Sequence, residues 1–242
     1  MITCENISKT FRNQEVLLPF SIEFNEGEVI ALLGPNGAGK TTFLEILCGT
    51  SPPSTGRILI DGVCMKEYPQ DAKSRIGNSP QGPSFFPHLT GRENMSLMAA
   101  LRWSPGAQLD EESDVLLEAF GLKNDCDRPA REYSEGMSQK LSIAMALLGS
   151  PRHLILDESL NGLDPASLVV AKRYIREHAM NGGLVLMTTH ILSLVEDLAD
   201  RVVLLNEGKI QQNHLFDDLK EANSRAGFLE AHYLKWTNDK VQ

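Results

Sequence analysis

The segment "GPNGAGKT", from Gly34 to Thr41, has the residue types and spacing of a phosphate-binding loop, G-x-x-x-x-G-K-[ST]. Its glycines allow a tight turn in which backbone N–H groups face phosphate oxygens. Lys40 adds a positive charge, and the Thr41 hydroxyl can hold Mg²⁺. The apolar run "EVIALLG" enters the segment and "KTTFLEILCG" leaves it, which predicts the strand and helix that this chemistry requires. A glycine-rich turn with a solvated lysine is the weaker interpretation.

A second pair of chemical groups, Asp157 and Glu158, ends the apolar run "LILDE". If this run is a parallel strand, Asp157 lies at the sheet edge beside the loop and can hold Mg²⁺ through water. Glu158 would then polarise a water that attacks the γ-phosphate. Alone, such an ending often marks a strand that reaches solvent. Together with the loop it predicts hydrolysis of a nucleoside triphosphate, although a phosphate-loop kinase remains possible on these two motifs.

Two further segments could contact phosphate. His190 ends the run "GLVLMTTH", where its imidazole could donate a hydrogen bond to a γ-phosphate oxygen, although a lone histidine at a strand end is more often a surface residue. In "YSEGMSQKL", Ser134 can cap a helix whose first turn contains Gly136. The positive end of that helix would receive an anion. The chain therefore contains a second candidate anion site far along the sequence from the loop.

Three apolar runs predict the strands of a central sheet. They are "EVIALLG", "HLILD" and "GLVLMTTH", and none alternates with polar residues. Such runs are typical of strands buried on both faces of a parallel sheet, and helical patterns such as "PASLVVAKRYIREHAM" separate them. Short hairpin-like pieces are "SIEF" and "GRILIDGVCM", the latter with a turn at Asp61-Gly62. A last strand, "RVVLLNEG", turns at Glu207-Gly208 into "KIQ". The order of elements predicts an α/β core.

Residues 85–149 lack a buried-strand pattern and are predicted to be helical. The segments "TGRENMSLMAALRW" and "EESDVLLEAFGL" are two helices, and a third begins at Ser134. The apolar residues on one face of the third helix are Met137, Leu141, Ala144 and Leu148. Gly149 and Pro151 then end it. The α/β core therefore carries a helical insertion.

Composition sets outer limits on the class of protein. The chain has 242 residues, 42% hydrophobic and 23% charged, which suits one large domain or a core with an insertion. A net charge of −9 argues against non-specific nucleic-acid binding. The four cysteines are far apart and form no zinc or disulfide pattern, which fits a reducing cytosol. Since no apolar run approaches the roughly 20 residues that span a bilayer, we expect a soluble protein whose membrane role comes through a partner.

Six motifs in a fixed order resemble those of ABC ATPases over nearly all of the chain. They are the phosphate loop, "PQ" at 80–81, "YSEGM" at 133–137, "LILDE" at 154–158, "NGLD" at 161–164 and "TTH" at 188–190. The resemblance implies a P-loop NTPase (RecA-like) α/β core with a mostly parallel sheet, an antiparallel β subdomain and a helical insertion. It also implies a single domain, 1–242. Its parts would be a core at 1–84 and 150–210, a helical subdomain at 85–149 and a C-terminal helical tail at 211–242.

The resemblance also implies roles for individual residues. Glu158 would be the catalytic base, His190 the switch histidine, and Gln81 a mobile glutamine that senses Mg²⁺ and the transport domain. The loop residues that would bind ATP are Gly34, Pro35, Asn36, Gly37, Ala38, Gly39, Lys40, Thr41 and Thr42. The metal ligands would be Thr41, Gln81 and Asp157. Phe11 would stack on adenine, although a phenylalanine there could equally be core, and Gln81 taken alone would more often be a turn residue.

The family resemblance explains the second anion site. In ABC ATPases two subunits pack head to tail, so that Ser134 and Gly136 would contact the γ-phosphate of ATP held by a second subunit, either another copy or a paralogue. Asp164 would couple the two sites. The implied partners are ABC transporter transmembrane subunits on the cytoplasmic face of the inner or plasma membrane, with no nucleic acid. "YSEGMSQKL" and "LTGREN" at 89–94 favour an exporter over an importer.

The chain departs from the family pattern at two places. Tyr133, Glu135 and Met137 replace three positions of the usual L-S-G-G-Q signature, and Ser159-Leu160 replaces the usual Pro-Thr or Pro-Ser after the catalytic glutamate. A carboxylate at Glu135 should weaken anion binding unless it points to solvent. Two other functions stay open: a soluble ABC ATPase of an assembly machine, such as iron-sulfur assembly, and a non-catalytic nucleotide sensor.

Overall fold

The described part of the chain, which in this computed structural model is residues 1–82, 84–102, 107–221 and 228–238, contains two β-sheets, nine α-helices and a short 3-10 helix, Ala130–Glu132. The strands are β1 (Ile2–Phe11), β2 (Gln14–Phe24), β3 (Val29–Leu33), β4 (Thr55–Ile60), β5 (Val63–Cys64), β6 (Ile76–Ser79), β7 (His153–Asp157), β8 (Leu184–Thr188), β9 (Arg201–Asn206) and β10 (Lys209–Leu215). The helices are α1 (Lys40–Leu47), α2 (Pro69–Ser74), α3 (Gly91–Arg102), α4 (Ala107–Ala119), α5 (Glu135–Leu147), α6 (Pro165–Met180), α7 (Leu192–Leu198), α8 (Phe216–Glu221) and α9 (Phe228–Asn238).

The larger sheet has six strands in the order β10-β9-β3-β8-β7-β6. Every neighbouring pair is parallel except β9 and β10, which form an antiparallel hairpin at one edge. Strands β3, β7 and β8 are buried at every residue, as their uninterrupted apolar sequences predicted. The mostly parallel sheet confirms the predicted α/β class.

The smaller sheet is antiparallel, with the strand order β2-β1-β4-β5. The turn between β4 and β5 contains Asp61 and Gly62 at φ values of 50° and 78°. Both residues are therefore left-handed, as a two-residue hairpin turn requires. The Asp-Gly signal in the sequence predicted this turn correctly, and the separate antiparallel sheet was expected from the family resemblance.

Strand β3 shows how the sheets and helices share the core. Its side chains alternate, so that Val29, Ala31 and Leu33 pack on one face. That face is covered by residues of the inserted helices and of α6 and α7. Ile30 and Leu32 pack on the other face against α1 and the antiparallel sheet. The central strand is thus enclosed by two apolar layers, and its carboxyl end leads into the phosphate loop.

Helices α3, α4 and α5 lie between β6 and β7, where an insertion was predicted. Helix α5 begins after Ser134, whose hydroxyl accepts a hydrogen bond from the Met137 N–H at 3.3 Å. Leu141, Ala144 and Leu148 are fully buried, so the predicted apolar face packs into the core. The boundaries of the helical subdomain at 85 and 149 stay a prediction.

Several elements could not be predicted from periodicity. The sequence indicated only the end of β2, and it gave no signal for β1, for the short α2 or for β6, whose "IGNS" is brief and partly polar. The tail was predicted to be helical from 211, but β10 runs to Leu215 and the first helix begins at Phe216. The alternation of exposed and half-buried residues in β10 is an edge-strand pattern that the prediction missed. The part of the predicted tail at 222–227 and 239–242 lies outside the described residues.

The buried His153 and the half-buried His178 are expected to make the stability of the fold sensitive to acid. Burial lowers the pKa of His178, against the raising effect of the backbone hydrogen bonds that the ring makes with Arg152 and Leu184. Burial also lowers the pKa of His153, which Asp61 partly opposes. Because the ordinary pKa is 6.5, each imidazole takes up a proton more readily after unfolding. The stability that the neutral histidines contribute is therefore present above about pH 6.5, their ordinary pKa. It is lost as the pH falls below that value.

We expect the free energy of unfolding, measured with urea, to fall between about pH 7.5 and about pH 5. His178→Gln should reduce this dependence because it removes one titrating group. The exposed His88 provides the control, since His88→Gln should leave the dependence unchanged. An equal pH dependence in the wild type and His178→Gln would show that His178 contributes nothing to it.

Candidate nucleotide site

The loop between β3 and α1 requires glycine at two close approaches. Gly34 has φ 153°, and a β-carbon there would lie 2.0 Å from the Leu205 carbonyl oxygen. Gly39 has φ 101°, and a β-carbon there would lie 2.7 Å from the Leu17 side chain. The loop is therefore packed against β9 on one side and against β2 on the other. This packing holds its backbone at the carboxyl edge of the parallel sheet.

The first turn of α1 offers backbone donors to the loop interior. The first intrahelical bond runs from the Phe43 N–H to the Gly39 carbonyl at 2.8 Å. Helix geometry leaves the N–H groups of Lys40, Thr41 and Thr42 without an acceptor inside the helix. These groups and the positive end of the helix dipole favour an anion.

The Lys40 ammonium group lies inside the loop. Its Nζ donates to the carbonyl oxygens of Gly34 at 2.7 Å and Pro35 at 3.2 Å, and the residue is only 7% exposed. Burial lowers the pKa of Lys40, while the nearby carboxylates of Glu158 and Asp157 raise it. The loop carbonyls thus hold the ammonium in position at the predicted phosphate site.

Glu158, Gln81 and His190 meet directly above this loop. The Gln81 Nε2 donates to Glu158 Oε2 at 3.1 Å, and the His190 Nε2 lies 2.7 Å from Glu158 Oε1. Each carboxylate oxygen therefore has one partner. The three residues follow β7, β6 and β8, which are neighbours in the sheet, so the ends of these strands bring them together. A carboxylate between two polar side chains can accept a proton from water.

Glu158 has an unusual backbone conformation, which Thr188 stabilises. The φ of Glu158 is 53°, a left-handed value that is uncommon for a residue other than glycine. Its N–H donates to the Thr188 hydroxyl at 2.9 Å and to the Thr188 carbonyl at 3.2 Å. The same hydroxyl donates to Asp157 Oδ1 at 2.5 Å. Thr188 therefore fixes the Asp157 carboxylate and the backbone of Glu158. Sequence reasoning missed this role, although Thr188 stood in the "TTH" segment.

A cleft of about 590 Å³ connects these groups. Its lining residues are Val16, Asn36, Gly37, Gly39, Lys40, Thr41, Thr42, Gln81, Glu158 and His190. Nine of these were predicted, six as loop residues and three (Gln81, Glu158 and His190) as catalytic residues, whereas Val16 was not predicted. Asp157 is buried at the end of β7, and Gly34, Pro35 and Ala38 form the base of the loop. The cleft is polar and open, as a triphosphate site must be.

The predicted adenine-stacking residue, Phe11, does not line this cleft. It lies at the end of β1 and is 46% exposed, so it is not a core residue. The Lys9 ammonium lies 4.7 Å from its ring centroid and also donates to the Pro52 carbonyl at 2.5 Å. An exposed aromatic ring is available for stacking, and its role stays a prediction.

Ser134, Gly136 and Asp164 form a second group of predicted residues, and none of the three lines the cleft. A β-carbon at Gly136 would lie 3.9 Å from the Gly162 carbonyl. The Lys140 ammonium on α5 lies 2.6 Å from Asp164 Oδ2. This hydrogen bond and those from Ser167 hold the pKa of Asp164 well below its usual range. The start of α5 and the segment before α6 are thus joined within one chain.

The departures from the usual signature have structural explanations. Tyr133 is buried and donates from its hydroxyl to the Asp125 carbonyl at 2.9 Å. A β-carbon at Gly91 would lie 2.3 Å from this hydroxyl, so the tyrosine fits because its neighbour is glycine. Met137 packs against the core, whereas Glu135 is exposed. The additional carboxylate therefore points to solvent.

The donor set at the cleft fits a magnesium ion. Thr41 offers a hydroxyl, Asp157 a carboxylate and Gln81 an amide oxygen, which remains once its nitrogen donates to Glu158. All three are hard oxygen donors, which Mg²⁺ prefers in nucleotide sites. A metal held here would lie next to the phosphates in the loop.

Comparisons with known proteins agree with this geometry. Residues 17–161 match the family model described as ABC transporter. The Bacillus subtilis (strain 168) protein named "Uncharacterized ABC transporter ATP-binding protein YdbJ" is 39% identical over 86% of this chain and 67% of its own length. The bacitracin transport ATP-binding protein BcrA of Bacillus licheniformis is 34% identical over 93% of this chain and 73% of its own. The lantibiotic transport ATP-binding protein SrtF of Streptococcus pyogenes is also 34% identical, over 87% of this chain and 89% of its own.

Solved structures show the same fold. One described as the ATP-binding subunit of an ABC transporter has a TM-score of 0.91 and 28% identity, covering 98% of this chain and all of the other. A dimeric ATP-binding cassette with bound ADP and Pi has a TM-score of 0.80 over 89% of this chain and 98% of that one. Its identity is 22%, so this likeness concerns the fold alone.

The chain belongs to the ABC transporter family, and within it to the ATP-binding ATPase subunits. None of the described helices has the length and the apolar composition that crossing a bilayer requires.

Proposed function

We propose that this chain hydrolyses ATP to drive an exporter, as a head-to-tail dimer of two copies joined to separate membrane subunits. The observation that supports hydrolysis is the Glu158 carboxylate, held by Gln81 and His190 above the phosphate loop. Lys40 and the N–H groups of the α1 first turn would bind the β- and γ-phosphates. Mg²⁺, held by Thr41, Gln81 and Asp157, would neutralise phosphate charge when bound.

The reaction requires a proton acceptor and fixed donors. Glu158 would accept a proton from the attacking water, and its position after β7 places it beside the γ-phosphate. His190 would leave the Glu158 oxygen and donate to a γ-phosphate oxygen, so the base becomes accessible when ATP is bound. Gln81 would exchange its contact with Glu158 for one with the metal. ATP binding thereby separates groups that are paired in the free chain.

The two separate anion sites support dimerisation. Ser134 and Gly136 begin a helix suited to an anion, yet neither lines the cleft of its own chain. Contact with the γ-phosphate of a second copy would use this helix end. ATP would then favour the closed dimer because its γ-phosphate meets donors from both copies, and ADP would not. Asp164, joined to α5 through Lys140, would link closure at one site to the other.

A groove that Asn78 and Ser84 help to line, on either side of Gln81 in the sequence, supports coupling to a membrane partner. It lies between β6 and α3, and Met98, Leu101 and Arg102 contribute to its lining. Leu101 is exposed, so an apolar side chain is available to a partner there. The proposed partner is a transmembrane subunit at the cytoplasmic face of the membrane. An export role is supported by the signature segment and by the relatives named for bacitracin and lantibiotic transport.

Phosphate release from MgATP by the purified chain, alone and with its membrane partner, tests the proposed activity. We expect release that depends on both Mg²⁺ and the partner. Co-purification from detergent-solubilised membranes tests the proposed partner. A chain that hydrolyses ATP but never fractionates with a membrane subunit would favour the assembly-machine alternative. A chain that binds MgATP and releases no phosphate in either state would favour the nucleotide sensor.

A further inference from the structure

The residue after Glu158 makes a contact that the usual proline of this family cannot make. Ser159 is fully buried, and its hydroxyl donates to the Ser79 carbonyl at 2.6 Å. The Ser159 carbonyl in turn accepts a hydrogen bond from Gln139 Nε2 at 2.7 Å. A proline has no side-chain donor, so the bond to Ser79 depends on the residue that this chain carries.

The Ser159 bond lies where the backbone ladder of the sheet ends. The last paired residues of β6 and β7 are Ser79 and Leu156. Beyond them the chain turns sharply, because Glu158 is left-handed at φ 53°. Ser159 follows this turn, and its hydroxyl donates a hydrogen bond back to Ser79, the last residue of β6.

The same hydrogen bond joins the segments at the ends of β6 and β7, which lead to Gln81 and Glu158. Ser159 directly follows Glu158, and Ser79 lies two residues before Gln81. The side chains of Gln81 and Glu158 meet at 3.1 Å just above it. Gln81 is exposed and lies in a loop, so little else in its own segment fixes its distance from the carboxylate. A buried hydrogen bond below the pair restricts the separation of the two backbones.

We propose that Ser159 is a positioning residue that holds Gln81 and Glu158 at the separation that water activation requires. This proposal rests on the proposed hydrolysis of ATP and names a further group that supports it. Ser159 acts through Gln81 and Glu158 and touches neither nucleotide nor metal. Its loss leaves the buried Ser79 carbonyl without this donor and lets the Gln81 loop move away from the base.

Ser159→Ala tests the proposal, with Ser142→Ala as the matched control. Ser142 is also buried, and its hydroxyl lies 2.8 Å from the Ser79 hydroxyl rather than from the Ser79 carbonyl. We expect Ser159→Ala to lower kcat about tenfold, the equivalent of one hydrogen bond. The KM for ATP should stay within about twofold of the wild type. Ser142→Ala should lower kcat by less than about twofold.

A double-variant cycle separates positioning from general destabilisation. In a Gln81→Ala background, Ser159→Ala should lower kcat no further, because the side chain that it positions is already gone. A full additional decrease there, an equal decrease in Ser142→Ala, or an effect on KM alone would overturn the proposal. Ser159→Cys, of similar size but with a weak donor, replaces Ser159→Ala in the cycle if the alanine variant fails to fold.

The NMR signals of the Gln81 side-chain amide provide a readout that does not need hydrolysis. We expect these signals to shift in Ser159→Ala and to stay in place in Ser142→Ala. Unchanged signals in Ser159→Ala would overturn the proposal. A wild-type chain that binds MgATP and releases no phosphate even with its membrane partner would contradict the proposed hydrolysis instead, and the amide signals would still test the positioning.

Discussion

Glu158→Gln is expected to lower the rate of ATP hydrolysis by about 10²- to 10⁴-fold, the contribution of a positioned general base. Glutamine has the shape of glutamate, so it can keep hydrogen bonds to Gln81 and His190, but it cannot accept the proton from water. It also removes a negative charge close to the phosphates. ATP affinity should therefore be unchanged or higher, and ATP should accumulate unhydrolysed on the chain.

The measurement compares phosphate release and ATP binding in the same preparations. Glu45→Gln is the control, because Glu45 is an exposed carboxylate on α1 outside the cleft lining and the substitution makes the same change in charge. Normal hydrolysis by Glu158→Gln would show that another group activates the water. Loss of ATP binding in this variant would show that the carboxylate supports the fold of the site instead.

Lys40→Met is expected to weaken ATP binding by about 2 to 5 kcal/mol, which is the usual loss when one partner of a buried charge pair is removed. The ammonium is enclosed by the loop and donates to the carbonyls of Gly34 and Pro35. Methionine keeps much of the side-chain volume and removes the charge. The resulting change in Kd is roughly 30-fold to several thousandfold.

Calorimetric titration with MgATP measures this loss, and thermal unfolding without nucleotide checks the fold. Removing the ammonium leaves two carbonyl oxygens without a donor, yet it also removes a buried charge, so we expect the unliganded chain to change by only about 1 kcal/mol. Lys123→Met, an exposed lysine paired with Glu118, should bind ATP normally. An affinity within about twofold of wild type in Lys40→Met would place the phosphates elsewhere.

The sequence predicted those elements whose burial leaves a periodic or uninterrupted apolar pattern. Strands β3, β7 and β8 were predicted because each is enclosed on both faces. Strand β6 was missed because its four residues include Gly77 and Asn78, which carry no such pattern. It is held in the sheet by pairing with β7, and such long-range pairing is not visible in a local sequence window.

The site was predictable where a motif fixes the local backbone, and less so where distant side chains meet. The loop around Lys40 follows from glycine spacing and flanking elements. The contacts of Glu158 with Gln81 and His190 depend on the strand order, which residue patterns do not show; the family resemblance supplied only the roles of these residues. The roles of Thr188 and Ser159 were missed, because a threonine or serine in an apolar segment carries no signal of its hydrogen-bond partner.

The central claim is that each ATP lies between the phosphate loop of one copy and the α5 end of another. Gly136→Asp in the Glu158→Gln background tests it. A β-carbon at Gly136 has room in its own chain, so the added carboxylate should disturb only an anion that a second copy presents.

Sedimentation of both variants with saturating MgATP, together with ATP titration of the monomers, is the decisive measurement. We predict that Glu158→Gln sediments as a dimer. Glu158→Gln/Gly136→Asp should stay monomeric with ATP affinity within about twofold of its parent. A Glu158→Gln chain that stays monomeric with ATP bound, or a Gly136→Asp substitution that weakens ATP binding to the monomer as Lys40→Met does, would contradict the shared site.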